Sequence, residues 1–288
     1  MNLRILIALL PLAVVGCATA GGAGTRSGFV DVDGGKLYYE AAGHGPAVVL
    51  IHGGQLDRRM WDEQFALLAK DYQVIRYDVR GFGRSSTPTQ PFHSHEDLRA
   101  LLDYLKVEKA NLVGLSLGGR IAFDFALTYP QRVQRLIGVG PGLSGFDWSP
   151  EQGERISRVY VAALDESLEK ATELWLQDPY MAPAMEHAEL QPRLRQLGLE
   201  NAKCYWASPY LDRPPRPLAA ERLGELKVPT FIIVGERDVP DIQRLVDRVV
   251  AEVPGARKAV IPGAGHIVNM EQPVEFNRAL LEILKTGE

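Results

Sequence analysis

The sequence predicts an α/β architecture: a mostly parallel, doubly wound sheet with a helical cap inserted part-way along the chain. Three observations predict it. Short continuous apolar runs, such as Ala47–Ile51 and Ala110–Leu115, read as strands buried on both faces. Stretches with helical apolar spacing alternate with these runs, which calls for parallel strands joined by crossover helices. About 90 residues separate the strand ending near Val139 from the next one at Thr230, far more than a single crossover needs.

Each element has its own signal. Phe29–Asp33 and Lys36–Glu40 alternate around Asp33-Gly34-Gly35, as a hairpin does. Ala47–Ile51 ends at His52-Gly53-Gly54, and Arg59–Ala69 comes after it with Met60, Trp61, Phe65 and Leu68 at helical spacing. Gln73–Tyr77 is a second buried strand that runs into Asp78-Val79-Arg80-Gly81-Phe82-Gly83-Arg84-Ser85. Ser94, with Asp97 three residues on, reads as a capping box opening a helix to Leu105. Strand Ala110–Leu115, helix Leu117–Thr128 and strand Val133–Val139 come next. Inside the long interval, Glu151–Leu164, Leu168–Leu176 and Leu190–Trp206 read as helices, and Pro209–Pro217 as an extended return path. Trp148, Tyr160, Trp175, Tyr180, Tyr205 and Trp206 suit an apolar ceiling over a pocket, or equally the packing of the insertion onto the main domain. A strand at Thr230–Val234, a helix at Ile242–Val253, a strand at Lys258–Ile261 and a helix at Pro273–Lys285 complete the chain. The expected organisation is a core of 28–140 and 218–288 with a cap of 141–217.

Composition narrows the function classes. The chain has 288 residues, 46% of them hydrophobic and 24% charged, which excludes a disordered protein. A formal net charge of −4 argues against a nucleic-acid partner. Cys17 and Cys204 are too few for a disulfide scaffold or a Cys-based zinc site. No cofactor is called for. Gly81-Phe82-Gly83 meets Ser86 where a dinucleotide fingerprint needs glycine or alanine, and the phosphate-binding G-x-x-x-x-G-K-[ST] pattern does not occur. His93-Ser94-His95-Glu96 lacks the further ligands a metal requires.

The chemistry centres on Gly114-Leu115-Ser116-Leu117-Gly118, a G-x-S-x-G string that succeeds a buried strand and opens a helix. A serine on such a sharp turn stands clear of the sheet, and side chains two residues to either side would collide, hence the glycines. Its hydroxyl needs a base to become a nucleophile. In the chain order that this motif accompanies, the acid and then the histidine come after the serine. Only His187 and His266 lie after Ser116. His187 falls within the cap as a surface residue, whereas His266 is reached from a strand end through Pro262-Gly263-Ala264-Gly265 and is the expected base. Gly235-Glu236-Arg237-Asp238 closes the preceding strand, so Asp238 is the expected acid, ahead of Asp241 and Glu236.

From about Phe29 to Glu288 the chain resembles the α/β-hydrolase fold superfamily. The resemblance is carried by His52-Gly53-Gly54, Asp78 to Ser85, Gly114 to Gly119, Gly235 to Asp238 and Gly265-His266. With Met60-Trp61-Asp62 and a multi-helix lid, it is most similar to the 3-oxoadipate enol-lactonase and carboxylesterase group. The resemblance implies hydrolysis of a carboxylic ester or lactone of a small, largely apolar molecule through an acyl-enzyme. Catalysis would use Ser116, His266 and Asp238. The oxyanion would sit on the backbone N–H of Leu117 and a second one from Gly54, or else Gln55. His52 and an Asp78–Arg80 pair would brace the loops. Serine at the elbow departs from the dehalogenases and epoxide hydrolases, which carry aspartate there. Acyl transfer to an alcohol or peroxide, C–C bond hydrolysis on the same triad, and a non-catalytic binding module remain alternatives. No protein partner is evident.

The N-terminus carries a separate signal. Arg4 precedes an apolar run from Ile5 to Val15, too short to span a bilayer and suited to a secretory signal. Val14-Val15-Gly16-Cys17 is similar to the lipobox of bacterial lipoproteins. That resemblance implies removal of 1–16, lipidation (palmitate among the acyl chains) at Cys17, a Gly/Ala-rich tether over 17–27, and a membrane partner through the anchor. Ala18 after the cysteine implies the periplasmic face of the outer membrane. The alternative is a signal peptide cleaved near Ala20, with Cys17 incidental.

Overall fold

Over residues 24–207 and 211–286, with the side chains of 203–207 excepted, the computed structural model forms one sheet of eight strands. They are β1 (Arg26–Val32), β2 (Gly35–Ala42), β3 (Ala47–Ile51), β4 (Gln73–Tyr77), β5 (Ala110–Leu115), β6 (Val133–Val139), β7 (Thr230–Gly235) and β8 (Arg257–Ile261). Their order is β1-β2-β4-β3-β5-β6-β7-β8. The β1–β2 and β2–β4 pairs are antiparallel and the rest parallel. The order reverses between β3 and β5, the place where a parallel sheet opens a crevice beyond its strand ends.

Helices α1 (Asp62–Leu68), α2 (Ser94–Tyr104) and α3 (Leu117–Thr128) join the first strands. The cap contributes α4 (Pro150–Asp165), α5 (Leu168–Leu176), α6 (Ala182–Met185) and α7 (Gln191–Ala207). Then come α8 (Pro240–Glu252), α9 (Val268–Glu271) and α10 (Pro273–Lys285). Strand side chains alternate between two apolar layers. Val49 and Ile51 of β3 pack with α2, α3 and α8, whereas Val48 and Leu50 pack with α1 and α10. A strand covered on both faces has no position left for a polar side chain. That is why β3 and β5 are apolar almost throughout.

Three expectations are corrected. First, β1 begins at Arg26, inside the segment read as tether, because Arg26 and Ser27 pair with Ala41 and Glu40 on the exposed edge. Second, Ser94 is the first residue of α2 and makes no capping box; His93 stands at the cap position, and Asp97 instead binds Arg80 at 2.5 and 2.9 Å. Third, Asp78 and Arg80 do not pair with each other. Asp78 takes Arg58 and the Arg84 N–H, leaving Arg80 to Asp97. Residues 1–23, including Cys17 and the segment read as a secretory signal, lie outside the described residues, as do the side chains of Cys204, Tyr205 and Trp206.

The cap is fastened at both of its junctions with the core. Leading in, Ser149 caps α4 and donates its hydroxyl to Asp241 at 2.6 Å. Leading out, Asp212 accepts from the Arg120 guanidinium and the Ser94 N–H. Beside it, Phe92 exchanges backbone hydrogen bonds with Leu211 and Arg213.

Candidate active site

Ser116 sits between β5 and α3 with φ +51° and ψ −110°, a conformation that L-residues adopt only under strain. The surrounding backbone holds it there: its N–H donates to Val139 at 3.1 Å, and its carbonyl accepts from Gly142 at 2.8 Å. The flanking glycines have a steric cause. A Cβ on Gly114 would overlap the Gly118 carbonyl, and one on Gly118 would overlap the carbonyls of Ile51 and His52. The N-terminus of α3 can therefore press against the end of β3. Leu117 opens α3, so its N–H has no intrahelical acceptor. The loop after β3 lies alongside; a Cβ built on Gly53 would stand 3.7 Å from Cβ of Ser116.

The loops after β7 and β8 carry the other two expected residues. Nδ1 of His266 lies 3.0 and 3.1 Å from the two carboxylate oxygens of Asp238. Asp238 also accepts the Val239 N–H at 2.8 Å. This contact engages the Nδ1 edge of the ring with Asp238 and leaves Nε2 as the nitrogen for a general base to use. The two loops are tied together by Arg237 N–H to Ala264, at 2.8 Å, and by Gly263 N–H to the Glu236 carboxylate, at 3.0 Å. Glu236 is thus a brace. Asp241, at the start of α8, is occupied with Ser149.

Ser116 and His266 line one cavity of about 420 Å³, together with Gly53, Gly54, Gln55 and Leu117. Its walls are otherwise mainly apolar: Leu143, Trp148, Ile156, Val159, Trp175, Met181 and Ile267 contribute. Of the six cap aromatics, Trp148, Trp175 and Tyr180 face this cavity, while Tyr160 faces a neighbouring one. His187 is partly exposed beside Glu189 and does not line the cavity.

His52 braces as expected, accepting the Val79 N–H at 2.9 Å through Nε2 and meeting the Gly53 carbonyl through Nδ1. Its complete burial lowers its pKa, keeping the ring neutral.

Two contributors have roles beside His266 that the sequence reading does not assign. Glu271 is buried, and its carboxylate accepts the N–H groups of Gly265 and Ile267, which flank His266, at 2.5 and 2.8 Å. Burial raises its pKa while these two bonds oppose the rise. The available signal was a lone carboxylate five residues after His266 in an apolar stretch. Tyr180 sets its ring edge-on to His266 at 4.5 Å and donates its hydroxyl to Gln152.

A family model described as the alpha/beta hydrolase fold matches residues 46–273. The chain belongs to this family. A 2-hydroxy-6-oxononadienedioate/2-hydroxy-6-oxononatrienedioate hydrolase from Burkholderia vietnamiensis is 33% identical over 269 residues, covering 87% of this chain and 91% of its own. Among solved structures, a thermophilic esterase from Thermogutta terrifontis (malate bound) is 30% identical with a TM-score of 0.78, over 90% of this chain and 98% of that one. The enol-lactonase from Burkholderia xenovorans is 27% identical with a TM-score of 0.77, over 89% and 99%. The chain is accordingly a hydrolase of the α/β-hydrolase fold.

Proposed function

We propose that this hydrolase cleaves a carboxylic ester or lactone of a small, largely apolar substrate through an acyl-enzyme on Ser116. The observation that carries the reading is the strained Ser116 turn opening into the same apolar cavity as His266, with Asp238 3.0 Å behind the imidazole. The Ser116 oxygen attacks the carbonyl carbon while Nε2 of His266 takes its proton. Asp238 stabilises the imidazolium that forms. The tetrahedral oxyanion rests on the N–H groups of Leu117 and Gly54. Losing one such donor costs about 3 kcal/mol of transition-state stabilisation. His266 returns the proton to the departing alkoxide, and a water activated by the same ring releases the acid.

The esterase and enol-lactonase neighbours support this reading, whereas the dioate hydrolase raises C–C cleavage as the rival. The lining favours the ester. Arg120 is the one Arg or Lys among the described lining residues, and Asp124 and Asp212 already neutralise it. Among the described residues, the wall has no Arg or Lys left unpaired to neutralise the two carboxylates that a dioate carries. The test is labelling by a fluorophosphonate probe, and then turnover of p-nitrophenyl butyrate. Ser116→Ala should lose both. Butyrate turnover surviving in that variant would overturn the assignment.

The motif at Val14 to Cys17 supports a second proposal, that the domain is lipid-anchored at Cys17 on the periplasmic face of the outer membrane. Cys17→Ser should move the protein from the membrane pellet to the soluble fraction or leave an uncleaved precursor. A soluble wild-type protein with no added mass at its mature N-terminus would refute the anchor.

A further inference from the structure

Gln55 stands in the loop beside the proposed oxyanion donors, next in the chain to Gly54. Its φ is +56°, in the left-handed region that glycine occupies at little cost and glutamine does not. It is 1% exposed and lines the catalytic cavity. Both its Oε1 and its Nε2 are buried without a hydrogen-bond partner. A buried carboxamide with neither end matched is among the costlier arrangements a fold can hold, and natural cores contain few of them.

Each of the other long polar side chains of the cavity wall has at least one partner. Gln152 accepts the Tyr180 hydroxyl at 2.8 Å, Asp178 takes Arg155 at 3.2 Å, and Arg120 is held by Asp124 and Asp212. His266 has Asp238. Among the described residues of the wall, Gln55 is therefore the long polar side chain left with no partner at either end, and it follows the proposed donor Gly54 directly in the chain. It is uncharged and offers one acceptor and two donor hydrogens, so its complement is a neutral group that both donates and accepts.

We propose that the Gln55 carboxamide binds a hydroxyl or acylamino substituent on the carbon next to the scissile carbonyl, so that this hydrolase prefers α-hydroxy or α-acylamino esters and lactones to unsubstituted ones. The inference rests on the ester and lactone reading and deepens it. A site that hydrogen-bonds a substrate group discriminates strongly against the analogue lacking it, because the buried polar group is again left unmatched.

The experiment compares kcat/KM for γ-butyrolactone, α-hydroxy-γ-butyrolactone and N-acetylhomoserine lactone, read as acid release, in the full chain and in Gln55→Gly and Gln55→Glu. Glycine suits the φ of +56° and leaves the loop path open. Glutamate keeps the side-chain shape but has no amide hydrogens. The wild type should favour at least one substituted lactone over the parent by about tenfold or more. In Gln55→Gly that ratio should fall to near one, and in Gln55→Glu it should also fall. Equal rates on the three lactones in the wild type would overturn the inference. So would a ratio that neither variant moves, since a purely structural residue lowers all rates together. p-Nitrophenyl butyrate separates the two readings. If it is cleaved without any preference among the lactones, only the role of Gln55 fails; if neither it nor any lactone is cleaved, the ester reading fails with it.

Discussion

The floor of the catalytic cavity is fixed by backbone. Ser116 is pinned through its own N–H and carbonyl to Val139 and Gly142, and the Gly118 backbone rests on that of Ile51 and His52. The roof, apart from the backbone bonds of Phe92 at its exit, is fastened by side chains. Asn201 of α7 donates to Asp57 at 3.0 Å and accepts the Gly83 N–H at 2.7 Å, and Arg193 reaches Asp62 at 2.8 Å. The outer surface of α4 remains apolar in places, with Val161 53% and Leu164 78% exposed. The difference separates two jobs. A floor closed by main-chain contact fixes the reacting atoms, while a roof held mainly through side chains, polar ones and apolar ones such as Leu194 and Leu197, sets the size and shape of what enters.

The sharpest way to break this division is to remove one floor side chain without touching the roof. His266→Ala should lower kcat for p-nitrophenyl butyrate by at least about a thousandfold, with an unchanged melting temperature. His187→Ala, on the roof, should leave kcat close to wild type. A reversed ranking would place the base in the cap.

Next in size is Gly118→Ala. The added methyl would lie 2.6 Å from the Ile51 carbonyl carbon and 2.8 Å from the His52 oxygen, backbone atoms that a side-chain rotation cannot move aside. We expect a loss of at least about 3 kcal/mol in urea unfolding, the upper range for overpacking. Wild-type stability would show that α3 can retreat from β3 and that the floor is softer than its contacts imply.

Asn201→Ala tests the roof. It leaves the fully buried Asp57 with Arg59 as its remaining side-chain partner and strips the Gly83 N–H of its acceptor. The cost should be about 2 kcal/mol, as for hydrogen bonds to charged groups. KM for long-chain esters should rise more than kcat for acetate falls. An equal effect on both would mean that roof and floor are not separable.

Legibility in the sequence divides along the same line. The bounds of β3, β4, β5, α3, β6, α5 and α10 coincide with the expected ones, because continuous apolar runs and strong helical periods mark them. The short helices α6 and α9, four residues each, carry too little period to be seen. Chain order brought Asp238 and His266 forward as candidates, since the serine motif constrains where along the chain its acid and base can lie. The Arg120–Asp212 contact joins segments 92 residues apart, and neither it nor the unmatched Gln55 carboxamide has a local pattern that encodes it, whereas Glu271 acts within six residues of its own position and left only a lone carboxylate as its signal. The Ser94 capping box failed for a related reason: a distant partner, Arg80, claimed Asp97 first.

The smallest effect we expect comes from the roof's own glycine, and it runs opposite in sign to Gly118. Gly153 lies inside α4 and lines the cavity, and a Cβ there would meet nothing within 4 Å. A glycine in a helix interior weakens the helix, so Gly153→Ala should stabilise the protein by roughly 0.5–1 kcal/mol. The same methyl that breaks the floor at Gly118 should therefore strengthen the roof at Gly153. Growing the side chain brings the second half of the comparison into view. Gly153→Leu should keep the added stability in part while extending into the cavity, shifting the preference among p-nitrophenyl esters toward shorter acyl chains. Thermal melts and an acetate-to-decanoate series measure both. Destabilisation by Gly153→Ala, or an unchanged chain-length profile in Gly153→Leu, would show that α4 does not shape the cavity as its position indicates.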